Sequence, residues 1–233
     1  MEGVSVAVPQ YVGADNLEVM RLAVNYNRNL LSILRRTACS ASRVLDFGAG
    51  LGMFARSLSG EGREVLCIEP DDYMCAELRS HGLSCVSSLA GVPRGSIEFA
   101  YTLAVLEHVE DDRRTVGMLA ETLGTGGRLL IYVPAIPALY SAMDKQVGHL
   151  RRYTKKGLAK LAEDSGLIVE SICFLDSLGV LASLLYKFTN GGGGINPLML
   201  RIYDRVAFPI SLLFDKLLRQ VVGKNLIMVC RRP

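Results

Sequence analysis

The chain has 233 residues, half of them hydrophobic and 21% charged, with a formal net charge of +3. That composition excludes a disordered chain, and so small a positive balance gives no basis for a nucleic-acid partner. The arginine pairs at 35–36, 113–114, 151–152 and 231–232 are scattered, and most of them read as solvated faces.

The six cysteines (39, 67, 75, 85, 173 and 230) form no C-x-x-C pair and no metal-like cluster with the three histidines. They read as free core thiols of a reducing compartment, and no metal is expected. The N-terminus has no basic segment followed by a long apolar run, so no signal peptide is expected. The most apolar window, Ile172 to Phe188, carries Asp176 and is short for a membrane span. These features predict a cytoplasmic protein, with a peripheral membrane contact left open by the insert described below.

Residues 1–15 read as a loose arm in which Tyr11 could fold over a ligand. From about Asn16 to Thr37, Leu17, Met20, Ala23, Val24, Leu30, Leu31 and Leu34 recur at helical spacing, with Asp15 or Asn16 as the N-cap. A first strand, Arg43–Phe47, breaks into the glycine turn Gly48-Ala49-Gly50-Leu51-Gly52 and restarts as a helix to about residue 60. Such a turn brings backbone N–H groups close to a ligand, because glycine has no Cβ and tolerates unusual dihedral angles. Taken alone it is a weak signal.

A second strand, Glu64–Glu69, ends on an acid, and Pro70-Asp71-Asp72 opens a helix that His81-Gly82 closes. In a doubly wound sheet that carboxylate stands beside the glycine turn and can accept two ribose hydroxyls. Leu83–Val86 reads as a third strand and Ile97–Leu103 as a fourth, followed by a turn at Glu107-His108 and a helix from about Asp111 to Leu123. Gly124–Gly127 reads as a tight turn into a fifth strand, Arg128–Val133, closed by Pro134. The β-α alternation predicts a parallel sheet covered on both faces.

After Pro134 a loop runs to Tyr153, and Thr154 caps a helix through Leu158, Leu161 and Ala162. Leu167–Leu175 and Asn225–Cys230 read as the sixth and seventh strands. Between them a minimal fold needs little, yet Ile202, Val206, Ile210, Leu213, Leu217 and Val221 follow helical spacing with charged residues largely opposite. Pro209 should kink or split that helix. The insert reads as a lid, a dimer surface or a membrane-surface element.

Val44–Gly52, Glu69 and Val105-Leu106-Glu107-His108-Val109, in that order, resemble the class I S-adenosylmethionine (SAM)-dependent methyltransferases, in the branch with UbiE-like and type 11/12 small-molecule enzymes. The resemblance covers roughly residues 40–175 and the final strand. It implies a Rossmann-like, doubly wound sheet of seven strands with the last antiparallel, preceded by N-terminal helices and carrying the helical insert. Within one domain, 1–40 would be the arm and helices, 41–176 the SAM-binding core, 177–222 the insert or lid and 223–233 the last strand.

For SAM, the resemblance implies that Gly48, Ala49, Gly50 and Gly52 meet the methionine part while Asp46 supports the turn. Glu69 would hold the ribose, Pro70 and Asp71 would lie along the adenosine, and Ser88 and Leu89 would meet the adenine. Leu103, Ala104 and His108 would approach the amino-acid end. S-adenosylhomocysteine is the implied product. The run from Asp144 through Gly148-His149-Leu150-Arg151-Arg152-Tyr153 is similar to one that follows strand five in bacterial methyltransferases of polar-lipid, saccharide and secondary-metabolite pathways.

A neutral nucleophile must lose its proton as it is methylated, a task suited to histidine. His149 is the candidate base, or else a loop histidine bonded to Asp144 or a backbone carbonyl, and Tyr11, Tyr140, Arg152 and Tyr153 are candidate substrate contacts. The reading is O-methylation of a small-molecule or lipid-like acceptor. N- or C-methylation, a membrane-associated lipid or polyprenyl methyltransferase, and a non-catalytic SAM-binding subunit stand as alternatives. A homodimer or a membrane contact is expected to run through 177–222.

Overall fold

The computed structural model describes residues 19–188 and 196–233. Tyr11, Asp15, Asn16 and the glycine run 191–194 lie outside the described residues. Seven strands form one sheet in the order β3-β2-β1-β4-β5-β7-β6. They are β1 Arg43–Phe47, β2 Glu64–Ile68, β3 Ser84–Val86, β4 Ile97–Leu103, β5 Leu123–Pro134, β6 Ile168–Leu175 and β7 Asn225–Arg231. The first five pair in parallel, and β7 runs antiparallel to both β5 and β6.

The helices are α1 Val24–Ala38, α2 Met53–Ser59, α3 Asp72–Ser80, α4 Asp112–Thr122, α5 Ala142–Gln146, α6 Lys155–Glu163, α7 Ser177–Phe188, α8 Pro197–Ile202 and α9 Phe208–Leu218. Side chains alternate across the strands, so each face of the sheet carries its own core. Leu30, Leu34, Ala55, Leu58 and Leu78 of α1–α3 pack with Val44, Phe99 and Tyr101 on one face. Val116, Leu119, Leu158 and Leu161 of α4 and α6 pack with Leu45, Ala100 and Leu129 on the other. Chain order reverses between β1 and β4, the switch point at which a crevice opens beyond the carboxyl ends of the strands.

Several local expectations change. The tight turn read at Gly124–Gly127 is part of β5, which starts at Leu123 opposite Ile97 and reaches β4 through a register shift. Gly127 has room only for a hydrogen, since a Cβ there would come within 2.8 Å of the Gly124 carbonyl oxygen. Cys75 and Cys85, read as free thiols, are joined as a disulfide between α3 and β3, and four cysteines stay free. Ten residues apart, the pair has no local motif to reveal it, and only the packing of α3 beside β3 brings the Cα atoms to 5.8 Å.

Pro209 divides the insert without a break in the helical run, because a π-helical turn, Tyr203–Ala207, separates α8 from α9. Proline offers no N–H and crowds the carbonyl four residues earlier, and the wider turn absorbs both effects.

Candidate functional site

The chain leaves β1 through three left-handed glycines, Gly48 (φ 78°), Gly50 (φ 52°) and Gly52 (φ 70°). The first and last have a second reason to lack a side chain. A Cβ at Gly48 would come within 2.4 Å of Val105 Cγ2, and one at Gly52 within 2.3 Å of Leu78 Cδ2. The N–H groups of Gly48 and Ala49 donate to the Ile68 carbonyl at 2.9 and 3.2 Å, tying the turn to the end of β2. The next residue, Gly50, donates its N–H to Glu69 Oε2 at 2.7 Å.

Glu69 is buried, and its Oε1 accepts the Asp71 N–H at 3.1 Å. A carboxylate has about four lone-pair sites, so two N–H contacts leave it acceptor capacity for a pair of vicinal hydroxyls. Burial raises the Glu69 carboxyl above its ordinary value, although the Asp71 and Gly50 N–H groups pull the other way. Asp46 pairs across the sheet with Tyr101, whose hydroxyl donates to its Oδ2 at 2.7 Å. Burial pushes the Asp46 carboxyl up to about 7, against the effect of that hydrogen bond. At the end of β4, Ala104 holds φ at 55°, an uncommon value for a residue with a Cβ. Its N–H donates to the Tyr132 carbonyl at 2.8 Å.

These groups line a cavity of about 400 Å³, within the range of small-molecule pockets. Asp46, Gly48, Ala49, Gly50, Gly52, Glu69, Pro70, Leu103, Ala104, His108 and His149 all lie on its wall. Asp71, Ser88, Leu89, Tyr140, Arg152 and Tyr153 do not. Asp71 caps α3, its side chain accepting the Met74 N–H, and Leu89 is packed in the core beside Phe47 and Ile68.

The other end of the cavity is built around Asp144. This residue sits in α5 and accepts the Ser141 N–H at 2.8 Å and the Ser141 hydroxyl at 3.1 Å, a local capping arrangement. The loop returning from α5 then wraps the same carboxylate. Arg152 forks onto it through Nε at 2.8 Å and Nη2 at 3.1 Å, and His149 Nδ1 lies 2.8 Å from Oδ1. Burial alone would raise the Asp144 carboxyl. The hydrogen bonds from His149 and Arg152 outweigh it and hold the group well below the usual carboxylate range.

Tyr140 donates its hydroxyl to the His149 carbonyl at 2.6 Å. Tyr153 is buried with its hydroxyl 3.0 Å from the Leu106 carbonyl and 2.8 Å from Asp112 Oδ2. Arg152, Tyr140 and Tyr153 thus hold the loop that carries His149 rather than line the cavity.

An ionised Asp144 is an acceptor only, so His149 Nδ1 carries the proton of the neutral ring and Nε2 keeps its lone pair. Nε2 lies 3.8 Å from Glu107 Oε1. Glu107 is fully buried, and among the described residues neither of its oxygens has a hydrogen-bond partner. Burial pushes its carboxyl up to about 8, so it is mainly protonated at neutral pH. His108 packs edge-on against His149 with ring centroids 4.8 Å apart, and its Nδ1 is 3.2 Å from the Gly148 carbonyl. Burial and the neighbouring His149 lower His108 to about 4.

Glu107, His108 and His149 have ligand-type atoms within 4.8 Å of one another, a spacing at which three side chains can share a proton or a cation. Between this cluster and α1, the hydroxyls of Tyr26 and Tyr132 meet at 2.7 Å on the cavity wall. The rest of that end is apolar, with Met20, Leu30, Met143 and Val147. Sequence reasoning offered Asp144 only as a bonding partner in the structural reading of His149, and assigned neither Glu107 nor Tyr132 to the site. The spacing of Ser141 and Asp144 was the available signal for the first, since it forms a helix-capping pair.

A family model described as a methyltransferase domain matches residues 20–172. A probable SAM-dependent methyltransferase of Mycobacterium tuberculosis is 26% identical over 144 residues, covering 59% of this chain and 53% of that protein. A ubiquinone biosynthesis O-methyltransferase of Xanthomonas oryzae pv. oryzae is 29% identical over 106 residues, covering 41% and 44%. The chain thus spans about half the length of the curated relatives it matches. Among solved structures, a SAM-dependent methyltransferase from Mesorhizobium loti aligns over 91% of this chain and 100% of its own, at 18% identity and a TM-score of 0.60. Another from Archaeoglobus fulgidus aligns over 88% and 94%, at 18% identity and a TM-score of 0.61. These two show a shared fold. With the family match across most of its core, this chain belongs to the class I SAM-dependent methyltransferases.

Proposed function

We propose that this protein transfers the methyl group of SAM to an oxygen of a small-molecule or lipid-like acceptor, with His149 as the proton acceptor. The observation that carries the proposal is the 2.8 Å contact of Asp144 with His149, whose ring lies on the wall of the glycine-turn cavity. SAM supplies a methyl group on a sulfonium, a good leaving group for in-line displacement, so alignment accounts for much of the acceleration. The chain's own residues then do two things. The glycine turn and Glu69 orient the donor at one end of the cavity. At the other, His149 Nε2 takes the proton of the attacking hydroxyl while Asp144 stabilises the imidazolium that forms.

Glu107 lies close to Nε2 and, when protonated, adds no negative charge near the reacting centre. Arg152, Tyr140 and Tyr153 are positioning residues for His149. The apolar wall supports an acceptor with a hydrophobic body. In this reading no metal takes part, and turnover is indifferent to a chelator. The test is S-adenosylhomocysteine release from the purified protein with a panel of hydroxylated aromatic and prenylated acceptors. His149→Ala should remove turnover while leaving SAM binding intact.

A further inference from the structure

The insert is amphipathic in the opposite sense from an ordinary surface helix. Its acids face the protein. Asp204, Ser211 and Asp215 are all buried along the π turn and α9. Asp204 accepts the N–H groups of Asn25 and Tyr26 at 3.0 and 2.9 Å, capping the start of α1. Asp215 does the same for α7 through the N–H groups of Asp176 and Ser177, both at 2.8 Å. Each carboxylate satisfies orphan donors at a helix N-terminus and meets the positive end of its dipole.

The opposite, apolar stripe is left outside. Leu213 is 61% exposed, Leu217 82% and Val221 71%, and Leu198, Met199, Ile202 and Val206 are each at least half exposed. Leu181 of α7, against which α9 packs, is exposed as well. The charges divide with the same asymmetry. Asp204 and Asp215, the two acids of residues 196–222, are both turned inward, whereas Arg201, Arg205, Lys216 and Arg219 are all exposed. Exposed leucines and cations with no exposed acid form a surface complementary to an anionic, hydrophobic-cored partner. A second copy of the same face does not fit. A two-fold interface would set these arginines and lysines against one another.

We infer that α8, the π turn and α9 dock this protein on the surface of an anionic phospholipid bilayer. No helix among the described residues is long and apolar enough to cross a membrane, so the contact is interfacial. The docked element also touches the site. Asp204 caps α1, Phe208 packs edge-on against the Tyr26 ring, and Tyr26 lines the cavity. A lipid-like acceptor could then reach the pocket from the membrane. That last step rests on the methyl-transfer reading above, whereas docking stands without it.

The test is co-sedimentation of the full chain with vesicles of pure phosphatidylglycerol and of pure phosphatidylcholine, at low and high salt. Binding is expected to phosphatidylglycerol and to weaken with salt. The variant Arg201→Glu/Arg205→Glu/Lys216→Glu/Arg219→Glu should lower partitioning on the order of 100-fold or more, at several-fold per cation. Leu213→Ser/Leu217→Ser should weaken it independently. Calorimetric SAM binding, measured on each variant, should stay at the parent value and reports separately on the folded donor site. Equal sedimentation with the two lipids, or none with phosphatidylglycerol, overturns the proposal. A dimer that Leu213→Ser/Leu217→Ser dissociates, with no vesicle binding by the parent, assigns the face to a second copy and also overturns it.

Discussion

Replacing Glu69 with glutamine removes one charge while changing the shape of the side chain hardly at all. In the parent, the two carboxylate oxygens accept the Gly50 N–H at 2.7 Å and the Asp71 N–H at 3.1 Å. A glutamine has one oxygen, so its NH₂ group must face one of these donors or one of the incoming hydroxyls. At least one charge-assisted hydrogen bond to the ligand is lost, worth about 1.5–3 kcal/mol. At about 1.4 kcal/mol per tenfold, SAM affinity should fall roughly 10- to 100-fold. Isothermal titration of SAM and S-adenosylhomocysteine into parent and variant reads this directly. The ligand-free melting temperature should also fall, by about 2–4 °C per kcal/mol lost from the turn for a chain of this size. Unchanged SAM affinity, with the turn intact by melting temperature, would refute the placing of the donor against Glu69.

Three further outcomes follow from the geometry of the site. The Asp46 carboxyl titrates near 7 in the folded chain, against about 3.9 unfolded, so the folded state holds the extra proton between those values. Stability is therefore lost as pH rises from about 4 to about 7, and Asp46→Asn should recover up to about 4 kcal/mol at alkaline pH and almost nothing below the unfolded value. Denaturant titrations of the two proteins across that range check it, and a stability difference independent of pH would contradict it. Asp144→Asn leaves the Arg152 guanidinium buried without a counter-charge, a loss of about 3–5 kcal/mol, and turns an amide donor toward His149 Nδ1. Turnover should fall by about 10²–10⁴ from the wrong tautomer, and adding Arg152→Met should restore stability without restoring rate. Treatment with a chelator should leave turnover unchanged; loss on chelation and recovery with a divalent cation would recast Glu107, His108 and His149 as ligands.

The grouping of the glycine turn with Glu69 on one cavity wall was legible because its determinants are local. Gly48 to Gly52 follow a strand directly, and Glu69 closes the next strand of the same βαβ unit, so spacing alone places them together. The acceptor half depends on contacts between distant segments. Nothing near Glu107 in the chain announces that His149 will stand 3.8 Å away, or that Arg152 and Tyr153 will be spent holding the loop.

The insert shows a different limit. Its periodicity revealed two opposed stripes, but periodicity cannot say which stripe faces the protein. That choice was made by unsatisfied N–H groups at the starts of α1 and α7, which draw Asp204 and Asp215 inward. The same contacts explain why α1 has no side-chain cap from its own N-cap residue, Ala23. The disulfide and the early start of β5 likewise depend on packing between elements that no short window contains.

The most direct measurement is S-adenosylhomocysteine release by His149→Ala, alongside its SAM affinity. His149 and the glycine turn with Glu69 lie on the wall of the same cavity, and in the proposed reading His149 meets the acceptor while the turn and Glu69 hold the donor. Loss of the base should therefore lower turnover by about 10²–10⁴ with any oxygen acceptor, at an unchanged SAM dissociation constant. Undiminished turnover in the variant would contradict the assignment of His149 and, with it, the account of how the acceptor loses its proton.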